Sequence, residues 1–189
     1  MTEEEFRNAL LEKLQQLHLS YCLDKEVPIP YKHIYVRDGA QTTLEIWCFK
    51  QDIVFFKPLF DVAIPYRGAT IQYGGQSIIQ IKLEKDNAQN TKDIGMPFLI
   101  IETKNTQPNT HDILTYAQKA ELIKTIFPYC KFVFCIYGTI SARTYRHGLN
   151  FDGILSITDL NDSNQLRGIT QTVRELLGEA QRGLSRLSS

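Results

Sequence analysis

The sequence predicts an α/β domain, a mixed sheet covered by helices on its faces, and three observations predict it. Helical periodicity marks both ends of the chain. Between them lie several short runs rich in β-branched and aromatic residues. One of these, Pro97-Phe98-Leu99-Ile100-Ile101, is apolar at every position, as a central strand buried from both sides must be.

At 189 residues and 43% apolar content, the chain is long enough to close one sizeable core. The expected organisation is one domain over 1–189: an N-terminal helix over 2–18, a core from about 27 to 160, and a C-terminal helix over about 163–184. Thr2 with Glu5 forms a capping box, and Phe6, Leu10, Leu14 and Leu17 follow at helical spacing. After Pro28 and Pro30, the runs Tyr31 to Val36, Leu44 to Phe49, Ile53 to Phe56 and Phe60 to Ile64 read as strands. Gly74-Gly75 joins Thr70 to Tyr73 and Gln76 to Leu83 as a hairpin. The polar, aperiodic stretch Glu84 to Asp93 reads as a loop.

A helix starts at Pro108 and Thr110, carries Ile113, Tyr116, Ala117, Ala120, Ile123 and Phe127 on one stripe, and closes at Pro128. Lys131 to Tyr137 is a second buried strand, and Gly153 to Ile157 a short one. Ser163 caps the last amphipathic helix, whose apolar side is Leu166, Ile169, Val173, Leu176, Leu177 and Ala180, with fraying from Gly183 onward.

Lys plus Arg and Asp plus Glu each number 21, so the formal charge is zero. That argues against a non-specific nucleic-acid coat protein and is compatible with an enzyme whose cations cluster on one face. No apolar run approaches the roughly 18 residues a bilayer requires, and Thr2-Glu3-Glu4-Glu5 is unlike a signal peptide, so a cytoplasmic protein off the membrane is expected. Cys22, Cys48, Cys130 and Cys135 lack CxxC spacing and read as reduced core residues. A zinc site would need scattered ligands.

Chemistry concentrates at the end of the apolar strand. Side chains alternate along a strand, so Phe98, Ile100, Glu102 and Lys104 share one side, and Leu99, Ile101 and Thr103 the other. Glu102-Thr103-Lys104 is the only acidic-x-Lys triplet in the chain. The alternative reading is a strand that ends in charges as it meets solvent. Asp61, within Phe60-Asp61-Val62-Ala63-Ile64, is an acid in an apolar run, and burying a carboxylate is costly unless it is paired or metal-bound. The plain alternative is an edge or turn aspartate. Asp52, in Gln51-Asp52-Ile53-Val54-Phe55, has a similar setting and competes for the same role. Two carboxylates converging from neighbouring strands make a hard-oxygen site suited to Mg²⁺, and an ammonium beside it offsets charge that builds on a phosphoryl group.

Asp61-Val-Ala-Ile, a hairpin excursion, and Phe98-Leu-Ile-Ile-Glu102-Thr-Lys104 together resemble the PD-(D/E)XK superfamily, the restriction-endonuclease-like nucleases, over about half the chain. The resemblance implies a restriction-endonuclease-like mixed β-sheet flanked by α-helices. It implies catalytic Asp61, Glu102 and Lys104, with Asp61, Glu102 and the Thr103 carbonyl holding Mg²⁺ or Mn²⁺ and the lysine serving the attacking water. Gln118 matches the glutamine that often follows on a helix, and Glu12 or Glu5 an extra glutamate from the first helix, although Glu5 already caps. Phe60 stands where the family has proline, and the gap from Asp61 to Glu102 is long, which makes the hairpin and the loop an insertion.

Arg67, Lys82, Lys85, Arg143, Arg146 and His147 are candidates for phosphate and base contacts, with Tyr66 and Tyr145 beside arginines. The function implied is Mg²⁺-dependent hydrolysis of DNA phosphodiester bonds by a restriction-type endonuclease, acting as a homodimer on symmetric sites. The alternatives are a structure-specific repair or recombination nuclease, and a non-catalytic nuclease fold kept for binding DNA or protein.

Overall fold

Thr2 and Glu5 start the first helix by exchanging hydrogen bonds: the Glu5 N–H donates to Thr2 Oγ1 at 3.2 Å and the Thr2 N–H to Glu5 Oε2 at 2.7 Å. Helix α1 then runs Glu3–Gln15 and buries Phe6, Leu10, Leu11 and Leu14. It stops short of residue 18 because the chain tightens into a turn, Leu17 N–H to the Leu14 carbonyl, and His18 takes a left-handed conformation at φ 47°. The architecture is that of a computed structural model, which describes residues 1–37, 43–59, 66–73, 76–83 and 94–188, the backbone alone for 33–37, 43–45, 66–73 and 76–83.

The remaining elements are β1 Cys22–Arg37, β2 Thr43–Pro58, β3 Tyr66–Tyr73, β4 Gln76–Leu83, β5 Gly95–Lys104, α2 Thr110–Ile126, β6 Lys131–Tyr137, α3 Ala142–His147, β7 Gly153–Ile157 and α4 Ser163–Leu187. The fold is α/β: these seven strands join in one mixed sheet flanked by helices. Side by side stand β1, β2, β5, β6 and β7, with β2 alone antiparallel to its neighbours.

Ring contacts fix the layers. On β6, Val133 and Tyr137 point one way, Phe134 and Ile136 the other. Phe6 of α1 meets Tyr137 at 5.3 Å between ring centres, and Leu176 of α4 lies beside Gly153 and Val133. Tyr116 of α2 meets Phe134 at 5.3 Å, and Ile113 clusters with Phe134 and Ile136. Helices α1 and α4 therefore cover one face and α2 the other.

Strand β2 forks the sheet. Along one edge it pairs with β1 from Thr43 to Phe56. Along the other it pairs with β4 over Thr43 to Cys48 and with β5 from Ile53 to Pro58. Residues 49–52 thus stand between two partners, and Asp52 is in the gap. The expected strands Leu44 to Phe49 and Ile53 to Phe56 are one strand running through Asp52. Likewise Tyr31 to Val36 is the second half of β1, which contains Pro28 and Pro30. Those prolines are tolerated because, among the described residues, β1 pairs with β2 alone, and residues two apart turn their missing N–H to the same edge, away from β2.

The hairpin expected around Gly74-Gly75 is present as β3 and β4, with Tyr73 opposite Gln76. The strand expected over Phe60 to Ile64 and the loop expected over Glu84 to Asp93 lie outside the described residues. Helix α2 is capped by Asn109, whose side chain accepts from the Asp112 N–H at 2.9 Å, and α4 by Asp162 rather than Ser163. Helix α4 continues to Leu187, so the expected fraying from Gly183 does not occur over 183–187. Helix α3 was not anticipated from the sequence; Ser141 caps it and Thr144 anchors it at 0% exposure. Among the described residues, no helix is long and apolar enough to cross a membrane.

Candidate functional site

The last register pair between β2 and β5 at the fork is Ile53 with Ile101, both fully buried. One step further the same register brings Asp52 opposite Glu102, from positions 50 residues apart, and the backbone N–H of Asp52 donates to Glu102 Oε2 at 3.3 Å. Thr103, itself fully buried, closes the pair from β5: its N–H and its hydroxyl both donate to Asp52 Oδ2, at 2.9 and 2.7 Å. The Glu102 carboxylate thus meets the Asp52 backbone where the sheet splits, with the Asp52 carboxylate near enough for its charge to act on Glu102.

Each acid has a cation from a different helix. Arg7 of α1 donates from Nη1 to Asp52 Oδ1 at 3.1 Å and reaches Glu26 through Nη2 at 3.5 Å. Lys119 of α2 donates to Glu102 Oε1 at 3.1 Å. Lys104 is one alternation beyond Glu102 on β5, but its ammonium is 3.2 Å from Glu3 Oε2 of α1. Glu3 and Arg7 are four residues apart, so both project from one side of α1 toward the fork.

Glu102 is only 3% exposed. Burial, with the Asp52 charge adding to it and Lys119 partly offsetting it, pushes its carboxyl up to about 7. Burial raises the Tyr116 phenol, and the next contribution comes from Glu102, so this ring stands within the field of the pair. Next to Asp52, Gln51 is fully buried, and neither its amide oxygen nor its nitrogen bonds any described residue; the same holds for Arg7 Nε. Burying such groups without partners costs free energy, so the polar island at the fork is not explained by stability.

The sequence-derived candidates separate as follows. Glu102 and Thr103 are at the site, and Asp52, the rival candidate, supplies its second carboxylate. Asp61 lies outside the described residues. Lys104 is at the rim, held by Glu3. Gln118 is exposed on α2, and its neighbour Lys119 is the residue that reaches Glu102. Glu12 is exposed on α1, and Glu5 is the capping residue. Arg143, Tyr145 and Arg146 are exposed on α3, which follows β6 at the same end of the sheet as Lys104, opposite Ile136. For Tyr66, Arg67 and Lys82 the backbone is described: Arg67 and Lys82 are register partners on β3 and β4. Lys85 lies outside the described residues. The four cysteines are free; Cys48, Cys130 and Cys135 are buried as expected of core residues, whereas Cys22, at the start of β1, is exposed.

Sequence reasoning missed Arg7, Lys119 and Glu3. A signal existed for Lys119, which lies three residues past Tyr116 on the stripe that faces the sheet.

The oxygens gathered at the fork are all hard: the two carboxylates and the Thr103 hydroxyl. Among the described residues no group of three or more His, Cys, Asp and Glu side chains converges. Two carboxylates are compatible with Mg²⁺, which retains waters and completes its shell with phosphate oxygen, and poor for zinc, which favours nitrogen and sulfur. No protein-family model matches the chain, and no curated protein matches it.

Proposed function

We propose that this chain is a Mg²⁺-dependent deoxyribonuclease of the restriction-endonuclease-like class, with Asp52 and Glu102 as its acidic pair. The observation that carries this reading is the meeting of two acids, 50 residues apart, at a sheet fork, at the head of the acidic-x-Lys strand. A mixed sheet flanked by helices is what the resemblance requires, and β3 and β4 are the insertion that lengthens the spacing before Glu102.

In this reading Asp52, Glu102 and the Thr103 carbonyl hold Mg²⁺, or Mn²⁺ in its place. The ion supplies Lewis acidity at the phosphoryl group and makes water more acidic. Thr103 fixes the rotamer of Asp52 through its two hydrogen bonds. The Lys104 ammonium, released from Glu3, would donate a hydrogen bond that orients the attacking water and would offset the charge that builds on the phosphate. Arg143 and Arg146 hold flanking phosphates from α3, with Arg67 and Lys82 on the hairpin as the second set. The substrate is DNA, cut by a cytoplasmic protein acting as a homodimer on symmetric sites, in restriction-type cleavage.

A second reading is a nuclease fold kept without catalysis, as a DNA- or protein-binding module. The observation that favours it is that Arg7 and Lys119 already neutralise both acids. Plasmid cleavage with Mg²⁺ by the parent, Glu102→Ala and Lys104→Ala separates the two. The nuclease reading expects both variants to lose at least about a hundredfold in rate. If both cut as fast as the parent, the site is misassigned; if the parent cuts neither plasmid nor a panel of branched DNA, the binding module stands.

A further inference from the structure

Both lysines near Glu102 have the same charge, but the structure gives them different partners. The strand lysine, Lys104, has its ammonium 3.2 Å from Glu3. The helix lysine, Lys119, has its ammonium 3.1 Å from Glu102 Oε1, and the same ammonium lies over two rings, 5.1 Å from the centre of Tyr116 and 5.7 Å from that of Phe49. The other oxygen, Oε2, takes the Asp52 N–H. A cation that approaches Glu102 therefore shares its carboxylate with Lys119.

We infer that Lys119 is a built-in counter-ion: a positioning residue that competes with a divalent cation for Glu102 and so sets the cation affinity of the site, a role Lys104 does not have. The inference rests on the reading of Asp52 and Glu102 as a cation-holding pair. Its physical basis is repulsion between two positive charges sharing one buried carboxylate, where the local dielectric makes the interaction stronger than in water. A lysine kept only for structure would behave differently: its loss would lower stability and leave cation binding unchanged or weaker.

The test is a calorimetric titration of the full chain with Mn²⁺, without oxygen, at a pH of about 8.5 so that carboxylates are ionised. Lys119→Met should bind Mn²⁺ about tenfold more tightly than the parent. Lys119→Arg, which keeps the charge, should stay within about twofold of it. Circular dichroism confirms that each variant is folded, and Lys119→Gln replaces Lys119→Met if the latter is not. If Glu102→Gln abolishes Mn²⁺ binding but neither neutral Lys119 variant binds more tightly than the parent, the counter-ion role is overturned and the cation site stands. If the parent and Glu102→Gln bind Mn²⁺ alike, the cation-site reading fails and the counter-ion role fails with it.

Discussion

Ile53 with Ile101 and Asp52 with Glu102 are neighbouring rungs of the same two strands, and they are built on opposite terms. The first rung is fully buried and apolar on both sides, which is what burial rewards. The second holds Glu102 at nearly the same depth yet carries two like charges, drawn together by Thr103 and offset by cations from α1 and α2. Replacing a buried ion pair with apolar residues is often neutral or stabilising, so a charged rung beside an apolar one points to use rather than to stability. The fork makes the difference possible: residues 49–52 of β2 lack the ladder partner that occupies Ile53.

The comparison breaks most visibly at the acids. Asp52→Asn should lower Mg²⁺-dependent plasmid cleavage by about a thousandfold, some 4 kcal/mol of barrier, while Asp61→Asn stays near the parent. The reverse result would give the first carboxylate to Asp61. On the apolar rung, Ile101→Ala should cost about 2 to 5 kcal/mol of stability by urea titration, with cleavage by the folded fraction retained. Lys104→Ala should cost about a hundredfold in rate and well under 1 kcal/mol in stability, because its partner Glu3 is part-exposed.

The acid rung also predicts a pH effect. The Glu102 carboxyl is raised in the folded protein from 4.5 to about 7, so the folded state holds that proton more tightly than the unfolded chain does. This contribution is present below about 4.5 and is lost as pH rises to about 7. The melting temperature of Glu102→Gln relative to the parent should therefore rise from pH 4.5 to pH 7.5; a difference that shrinks over that range contradicts the burial argument. The smallest expected effect is at α3, where Arg143→Ala or Arg146→Ala should weaken DNA binding and lower the salt slope by about one each.

Much of the fold was legible because periodicity reports burial: Phe6, Leu10 and Leu14 marked α1, and the run from Pro97 to Ile101 marked the covered strand. What was not legible depended on partners. Pro28 and Pro30 read as breaks because nothing local says which edge of β1 pairs with β2, and Asp52 read as a boundary because a fork is a property of three strands. Glu102 was found from its triplet. Arg7 and Lys119 were hidden, since they come from elements distant in sequence that meet the acids only in the packed molecule.

The claim on which the account depends is that Asp52 and Glu102 together bind one divalent cation. A crystal of the protein soaked in Mn²⁺, with anomalous differences recorded at the manganese edge, tests it directly. The account predicts a single anomalous peak bonded to both carboxylates, with Lys119 moved off Glu102. A map at saturating Mn²⁺ with no peak there, and with Arg7 and Lys119 still on the two acids, would contradict it.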